Sequence, residues 1–268
     1  MENQNENYLD NHFIHKSNWL RAAVLGANDG ILSTSSLAIG VAAASEFREP
    51  IVLATLAGGN IKLNVDFLPD SFVTHSVMLI LSIGLIYGLR NYLNYKIALP
   101  EFKKTLRPML FGFLIAAVII NTIMVGITQA LGGKPEAHFA FGVMSPWQIF
   151  LFIFIYASVA EEVLFRGFLQ NILKPLKDKG IKFFKRHISV PVIISATAFS
   201  LAHLTLIASG ASVFFIVRTL VFTFTLGLIA GYYQEKYDNN AYAIIVHMSG
   251  NFMGVIAAIL TSLAKAGV

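Results

Sequence analysis

The chain has 268 residues, 56% of them hydrophobic and only 13% charged, where soluble domains carry about 25% charged residues, so the composition is that of a membrane protein. It contains no cysteine, which excludes disulfides, a thiolate nucleophile, cysteine-ligated zinc and palmitoylation, and leaves His, Glu and Asp for catalysis or metal binding. The formal net charge of +5 would suggest nucleic acid in a soluble protein; here the positive residues gather in two loops, which is a topology signal, and no nucleic-acid partner is expected.

In chain order, residues 1–19 are polar and slightly acidic, with His12 and His15 loosely spaced, and read as a solvated tail with no removable signal peptide. The first apolar run, Trp19 to Ala44, is long enough to span a bilayer but contains Asp29 within Gly26-Ala-Asn-Asp-Gly30. This segment, continuing through Pro50-Ile-Val-Leu-Ala-Thr-Leu-Ala-Gly58, resembles the first transmembrane helix of the vacuolar iron transporter family. The resemblance puts Asp29 on the metal path. The Met- and acid-rich second helix and the Glu-rich metal-binding region of that family do not follow. Residues 1–60 therefore read as a fused or truncated remnant, Asp29 as a relic, and metal transport as the weakest of three functional readings.

Asn60 to Asp70, with Pro69, is a polar junction. Beyond it, apolar spans are predicted at Ser71–Leu89, Pro108–Leu131, Trp147–Leu173, Ile188–Ser209, Ser212–Tyr233 and Ala241–Leu263. With the first run the fold class is all-α: a polytopic transmembrane helical bundle of about seven spans. Residues 71–146 are read as accessory helices and 147–263 as the core. The loops 90–107 and 171–187 are rich in Lys and Arg, whereas 134–146 and 234–240 are close to neutral. Basic loops stay cytoplasmic, so the expected layout has the amino terminus inside and the carboxyl terminus outside. Gly227 with Gly231, and Gly250 with Gly254, form GxxxG pairs and read as packing faces.

The chemistry concentrates in Val159-Ala-Glu-Glu-Val-Leu-Phe-Arg-Gly-Phe168. Ionisable groups inside a span are costly and usually functional. At ~3.6 residues per helical turn, Glu162 and Arg166 stand at i and i+4 and can pair. Glu161 points about 100° away and is left without an obvious partner, as a general base would be. The bland alternative is an ion pair that only fixes a helix contact, with Glu161 at the interface. Two later pairs share helix faces: Phe199 with His203, and His247 with Asn251.

These residues carry a second, stronger resemblance. Glu161-Glu-Val-Leu-Phe-Arg166 fits EExxxR, Phe199-Ser-Leu-Ala-His203 fits FxxxH and His247-Met-Ser-Gly-Asn251 fits HxxxN, in the order found in the CPBP family of CAAX-type membrane proteases and bacteriocin-processing proteins, over residues 147–252. The resemblance implies peptide-bond hydrolysis in the membrane. Glu161, assisted by His203, would activate water; His247 and Asn251 would donate to the oxyanion; Glu162 and Arg166 would hold the frame. The family carries a metalloprotease label, and Glu161, His203 and His247 could hold zinc with an open position. No HExxH is present, and glutamate-activated water with no cofactor is the preferred expectation.

The implied partners are membrane lipid and a lipidated or membrane-tethered peptide or protein, the implied location an integral membrane protein of the bacterial cytoplasmic membrane. The rival reading is a catalytically silent bacteriocin self-immunity or scaffolding protein. From the predicted boundaries and ~1.5 Å rise per residue, Glu161 lies ~18 Å from the cytoplasmic end of its span, His203 ~22 Å and His247 only ~9 Å, a mismatch of depth. Arg218, in mid-span, has no assigned role.

Overall fold

A computed structural model describes residues 67–266, other than 139 and 208. The predicted first span and Asp29 lie outside the described residues. Those described contain six helices long and apolar enough to cross a membrane, in an all-α bundle. They are α1 (Asp70–Gly88), α2 (Phe102–Ala130), α3 (Pro146–Gln170), α4 (Val190–Ala202, whose span is continued to Ile207 by a tighter helical turn), α5 (Val213–Tyr237) and α6 (Ala241–Ala266).

The bundle is apolar outside as well as inside. Ile80 and Leu81 on α1 are 69% and 60% exposed, a surface that meets lipid rather than water. Buried small polar groups tie the helices together from within. Ser195 of α4 donates to the Phe165 carbonyl of α3 at 2.8 Å, and Ser200 to the Leu220 carbonyl of α5 at 2.8 Å. Gln170 at the end of α3 donates to both the Gly231 carbonyl and Gln234 Oε1 of α5.

Two boundaries differ from the sequence reading. α2 begins at Phe102 rather than Pro108, so Lys103, Lys104 and Arg107 ride the first turns of the helix, with Pro108 inside it. The basic segment after α3 is not a plain loop: β1 (Gly180–Phe183) and β2 (Arg186–Ser189) form a small antiparallel hairpin, and α4 starts at Val190 instead of Ile188. Ser189 caps α4 through its side chain and donates to Glu235 at 2.6 Å, which fixes where strand gives way to helix.

α3 is not uniformly α-helical. An i→i+4 stretch, Ser158–Glu162, lies between two π-helical stretches, Ile149–Ala157 and Val163–Gln170. Such i→i+5 bonding is uncommon and clusters at functional positions; here it brackets the two glutamates.

The glycine pairs are packing faces. A Cβ on Gly227 would lie 2.7 Å from Arg166 Nη2 and 3.0 Å from Ala196 Cα, whereas one on Gly254 would meet Phe141 no closer than 3.4 Å. Gly227→Ala is therefore expected to destabilise the detergent-solubilised protein by about 1–3 kcal/mol, the usual cost of overpacking, while Gly254→Ala leaves the thermal midpoint nearly unchanged. Equal shifts for the two in a melting experiment would contradict this packing.

Candidate active site

Three helices meet at Glu161. It sits in the α-helical part of α3, and its carboxylate is 14% exposed. Oε2 faces His247 Nε2 of α6 at 3.8 Å. Oε1 does have a partner, contrary to the sequence reading: Nε2 of His75, in α1, lies 2.9 Å away. The sequence reading missed His75, although it is the one imidazole of α1, in a span with no Asp, Glu, Lys or Arg, and such a group at that depth was the signal available.

Glu162 and Arg166 form the expected i, i+4 pair. Both side chains are 0% exposed, and Arg166 Nη1 donates to Glu162 Oε1 at 2.9 Å. The same Oε1 accepts from His247 Nδ1 at 2.8 Å. A carboxylate only accepts, so Nδ1 of His247 carries the proton, and in the neutral ring Nε2 turns a lone pair toward Glu161. His247 can donate from Nε2 only when both ring nitrogens are protonated.

Phe199 joins these groups. Its ring stands edge-on to His203 at 5.1 Å and to His247 at 5.3 Å, and the Arg166 guanidinium lies over it at 4.6 Å. His203 follows the last residue of α4, in a tighter turn spanning His203–Ile207, and keeps its face by bonding Nδ1 to the Phe199 carbonyl at 2.9 Å. It lies within electrostatic reach of Glu161 but is not hydrogen-bonded to it among the described residues. Asn251 Nδ2 donates to Ser158 Oγ, one turn before Glu161, at 3.3 Å.

The start of α6 bears on the depth mismatch. Asn239 and Asn240, in the turn before it, are buried, and Asn240 Nδ2 donates to the Glu162 carbonyl at 3.2 Å. α6 thus begins inside the protein rather than at its rim, and its second turn reaches Glu161.

On the far side of His203 lies a feature without a sequence signal. His138, in the α2–α3 connection, packs at a tilt against Phe215 and Phe141 and lies within electrostatic reach of His203 and Arg218. Burial, with the neighbouring His203 ring and Arg218 guanidinium adding, lowers the His138 pKa to about 4, so this ring is neutral near pH 7. Arg218 donates to the Glu136 carbonyl and lies over the Phe215 ring at 5.0 Å; it ties the connection to α5.

Among the described residues no group of three or more His, Asp or Glu side chains is arranged to hold a metal ion. In the set Glu161, His203 and His247, Oε1 of Glu161 is bound by His75 and Nδ1 of His247 by Glu162, which leaves Oε2 of Glu161 and Nε2 of His247 as the atoms that a metal could reach.

The three motif segments thus converge on one polar centre inside an apolar bundle. Residues 142–253 match the Type II CAAX prenyl endopeptidase Rce1-like family. That segment contains every residue of the centre except His75, and the match supports a membrane endopeptidase in general. Residues 20–60 match the VIT family. Over that part the chain is 49% identical across 47 residues to vacuolar iron transporter homolog 1 of Oryza sativa subsp. japonica, covering 18% of this chain and 20% of the relative. It is 54% identical across 43 residues to homolog 5 of the same plant, covering 16% and 21%. With homolog 1 of Arabidopsis thaliana it shares 45% across 58 residues, covering 22% and 28%. The chain therefore spans only 20% to 28% of the length of these curated relatives. No solved structure matches it.

Proposed function

We propose that the Rce1-like segment hydrolyses a peptide bond of a membrane-associated substrate, of the prenylated CAAX type or another lipidated peptide, with water activated by Glu161. The observation that carries this reading is the opposition of Glu161 Oε2 and His247 Nε2 at 3.8 Å, with His247 fixed from behind by Glu162. A water beside Oε2 gives up a proton to the carboxylate as its oxygen attacks the scissile carbonyl. The negative charge then grows on the carbonyl oxygen, where doubly protonated His247 and the Asn251 amide are the available donors. Collapse breaks the C–N bond, and the proton on Glu161 passes to the leaving amine. His203 packs against the same Phe199 ring as His247.

In this reading the Lys- and Arg-rich hairpin faces the cytoplasm, in a bacterial inner membrane, and residues 1–60 take no part in the chemistry. Asp29 stays a relic.

The test is cleavage of a prenylated CAAX reporter peptide by the purified, reconstituted chain, beside an unprenylated peptide of the same sequence. Cleavage of the prenylated peptide is expected to persist in a chelator. Loss of activity on chelation, restored by adding zinc back, would overturn the metal-free route. No cleavage of any lipidated peptide would overturn the hydrolase reading.

A further inference from the structure

His75 lies outside both matched segments, on a helix that the sequence gives no catalytic part. Its contacts are nevertheless directed. Nδ1 is 2.6 Å from the Ser71 carbonyl, four residues back, and Nε2 is 2.9 Å from Glu161 Oε1. A backbone carbonyl can only accept, so Nδ1 carries a proton. A carboxylate can also only accept, so the bond on the opposite side of the ring needs a second proton. The Nε2–Oε1 bond therefore needs a proton between its two atoms.

The face that brings His75 to Glu161 is built for the purpose by its neighbours at i−3 and i+1. Phe72 stacks on Tyr156 at 5.2 Å and stands edge-on to Phe152 at 5.5 Å, both on α3. Ser76 Oγ is 2.8 Å from the Tyr156 hydroxyl. These contacts lie on either side of the imidazole and set its height against α3 to within one helical turn. The titratable groups that α3 offers along this contact are Tyr156, Glu161, Glu162 and Arg166; Glu162 and Arg166 are paired with each other, and Tyr156 with Ser76. His75 is thus committed to Glu161.

A carboxylate with both oxygens unbound would rotate about its last torsion. Pinning Oε1 leaves Oε2 as the oxygen that faces His247 and the attacking water. We propose that His75 is a positioning residue for Glu161: it holds Oε1 so that Oε2 alone serves as the base. This rests on the hydrolytic reading above, and it makes α1 part of the catalytic apparatus rather than an accessory helix.

The test compares steady-state cleavage of the prenylated reporter by the reconstituted full chain and by His75→Gln, His75→Asn, His75→Phe and Glu161→Gln. The Gln amide nitrogen reaches the place of Nε2, whereas the Asn amide reaches only that of Nδ1, so the two variants separate the Glu161 bond from the Ser71 bond. His75→Asn and His75→Phe are expected to lower kcat about 100-fold with KM within twofold, the scale of a small misplacement of a reacting group. His75→Gln is expected to recover kcat to within about tenfold of the native value. Melting and gel filtration of the Asn and Gln variants, which should match each other, remove misfolding as the cause.

Equal kcat for Asn and Gln, or an effect confined to KM, overturns the inference while native cleavage and an inactive Glu161→Gln leave the hydrolase reading standing. An inert native chain, or a Glu161→Gln variant with native kcat, overturns both.

Discussion

Glu161→Gln is expected to lower kcat by about 10²–10⁴-fold, the range that a positioned general base supplies, with little change in thermal stability. The substitution keeps the size and planarity of the side chain. The amide oxygen can still accept from His75 Nε2, so α1 and α3 stay joined where that 2.9 Å bond now joins them. What is lost is basicity: an amide beside His247 cannot take a proton from water at any pH at which the bundle is folded. The site offers no ready substitute. Glu162 is bound to Arg166 and His247 through the same oxygen and is fully buried, so it is too far committed to replace its neighbour. The measurement is kcat for the reconstituted variant on the prenylated reporter, alongside its melting curve. Retention of more than a tenth of native kcat, with the protein folded, would remove Glu161 from the chemistry.

Much of this centre is legible in the sequence because it depends on spacing within one helix. Glu162 and Arg166 are four residues apart and pair as that spacing requires; Phe199 with His203, and His247 with Asn251, keep the faces their spacing assigns. The six described spans follow equally directly from long apolar runs with few charges, since a bilayer leaves the backbone of a lipid-exposed segment little choice but helix.

The parts that were not legible depend on contacts between distant segments. His75 and Glu161 are 86 residues apart, and nothing local to either announces the other. Reading Glu161 as unpartnered followed from counting only neighbours on its own helix. The depth mismatch arose the same way, from equating the ends of apolar runs with the membrane surface. Asn239 and Asn240 look like an exposed turn by composition, but they are buried against α3 and the α1–α2 connection through bonds to the Glu162 and Ala98 carbonyls. The β1–β2 hairpin was obscured by charge: six Lys and Arg side chains over residues 171–187, three of them in the hairpin itself, read as a loop, although Ile181 and Phe183 sit among them at strand spacing.

Arg166→Met is expected to cost about 3–5 kcal/mol of stability, the penalty for removing one partner of a buried ion pair, and to abolish cleavage in the molecules that still fold. The cost comes less from the lost bond than from what remains. Glu162 would stand fully buried with His247 Nδ1 as its one side-chain hydrogen-bond partner, and the face of Phe199 now covered by the guanidinium would lose its contact. Arg166→Lys is no cure, because an ammonium lacks the planar fork that reaches Glu162 while lying flat on an aromatic ring. Replacing both members, Glu162→Met with Arg166→Met, removes the uncompensated charge, and a buried pair exchanged for apolar side chains of similar volume is often close to neutral. The double variant should therefore melt within a few degrees of the native protein, yet stay inactive, because His247 would have lost the acceptor that fixes its ring against Glu161. A double variant as unstable as Arg166→Met would mean that packing, not charge, dominates at this position. A stable double variant that cleaved the reporter would mean that the pair serves the fold alone, and that His247 needs no support from Glu162 to do its part.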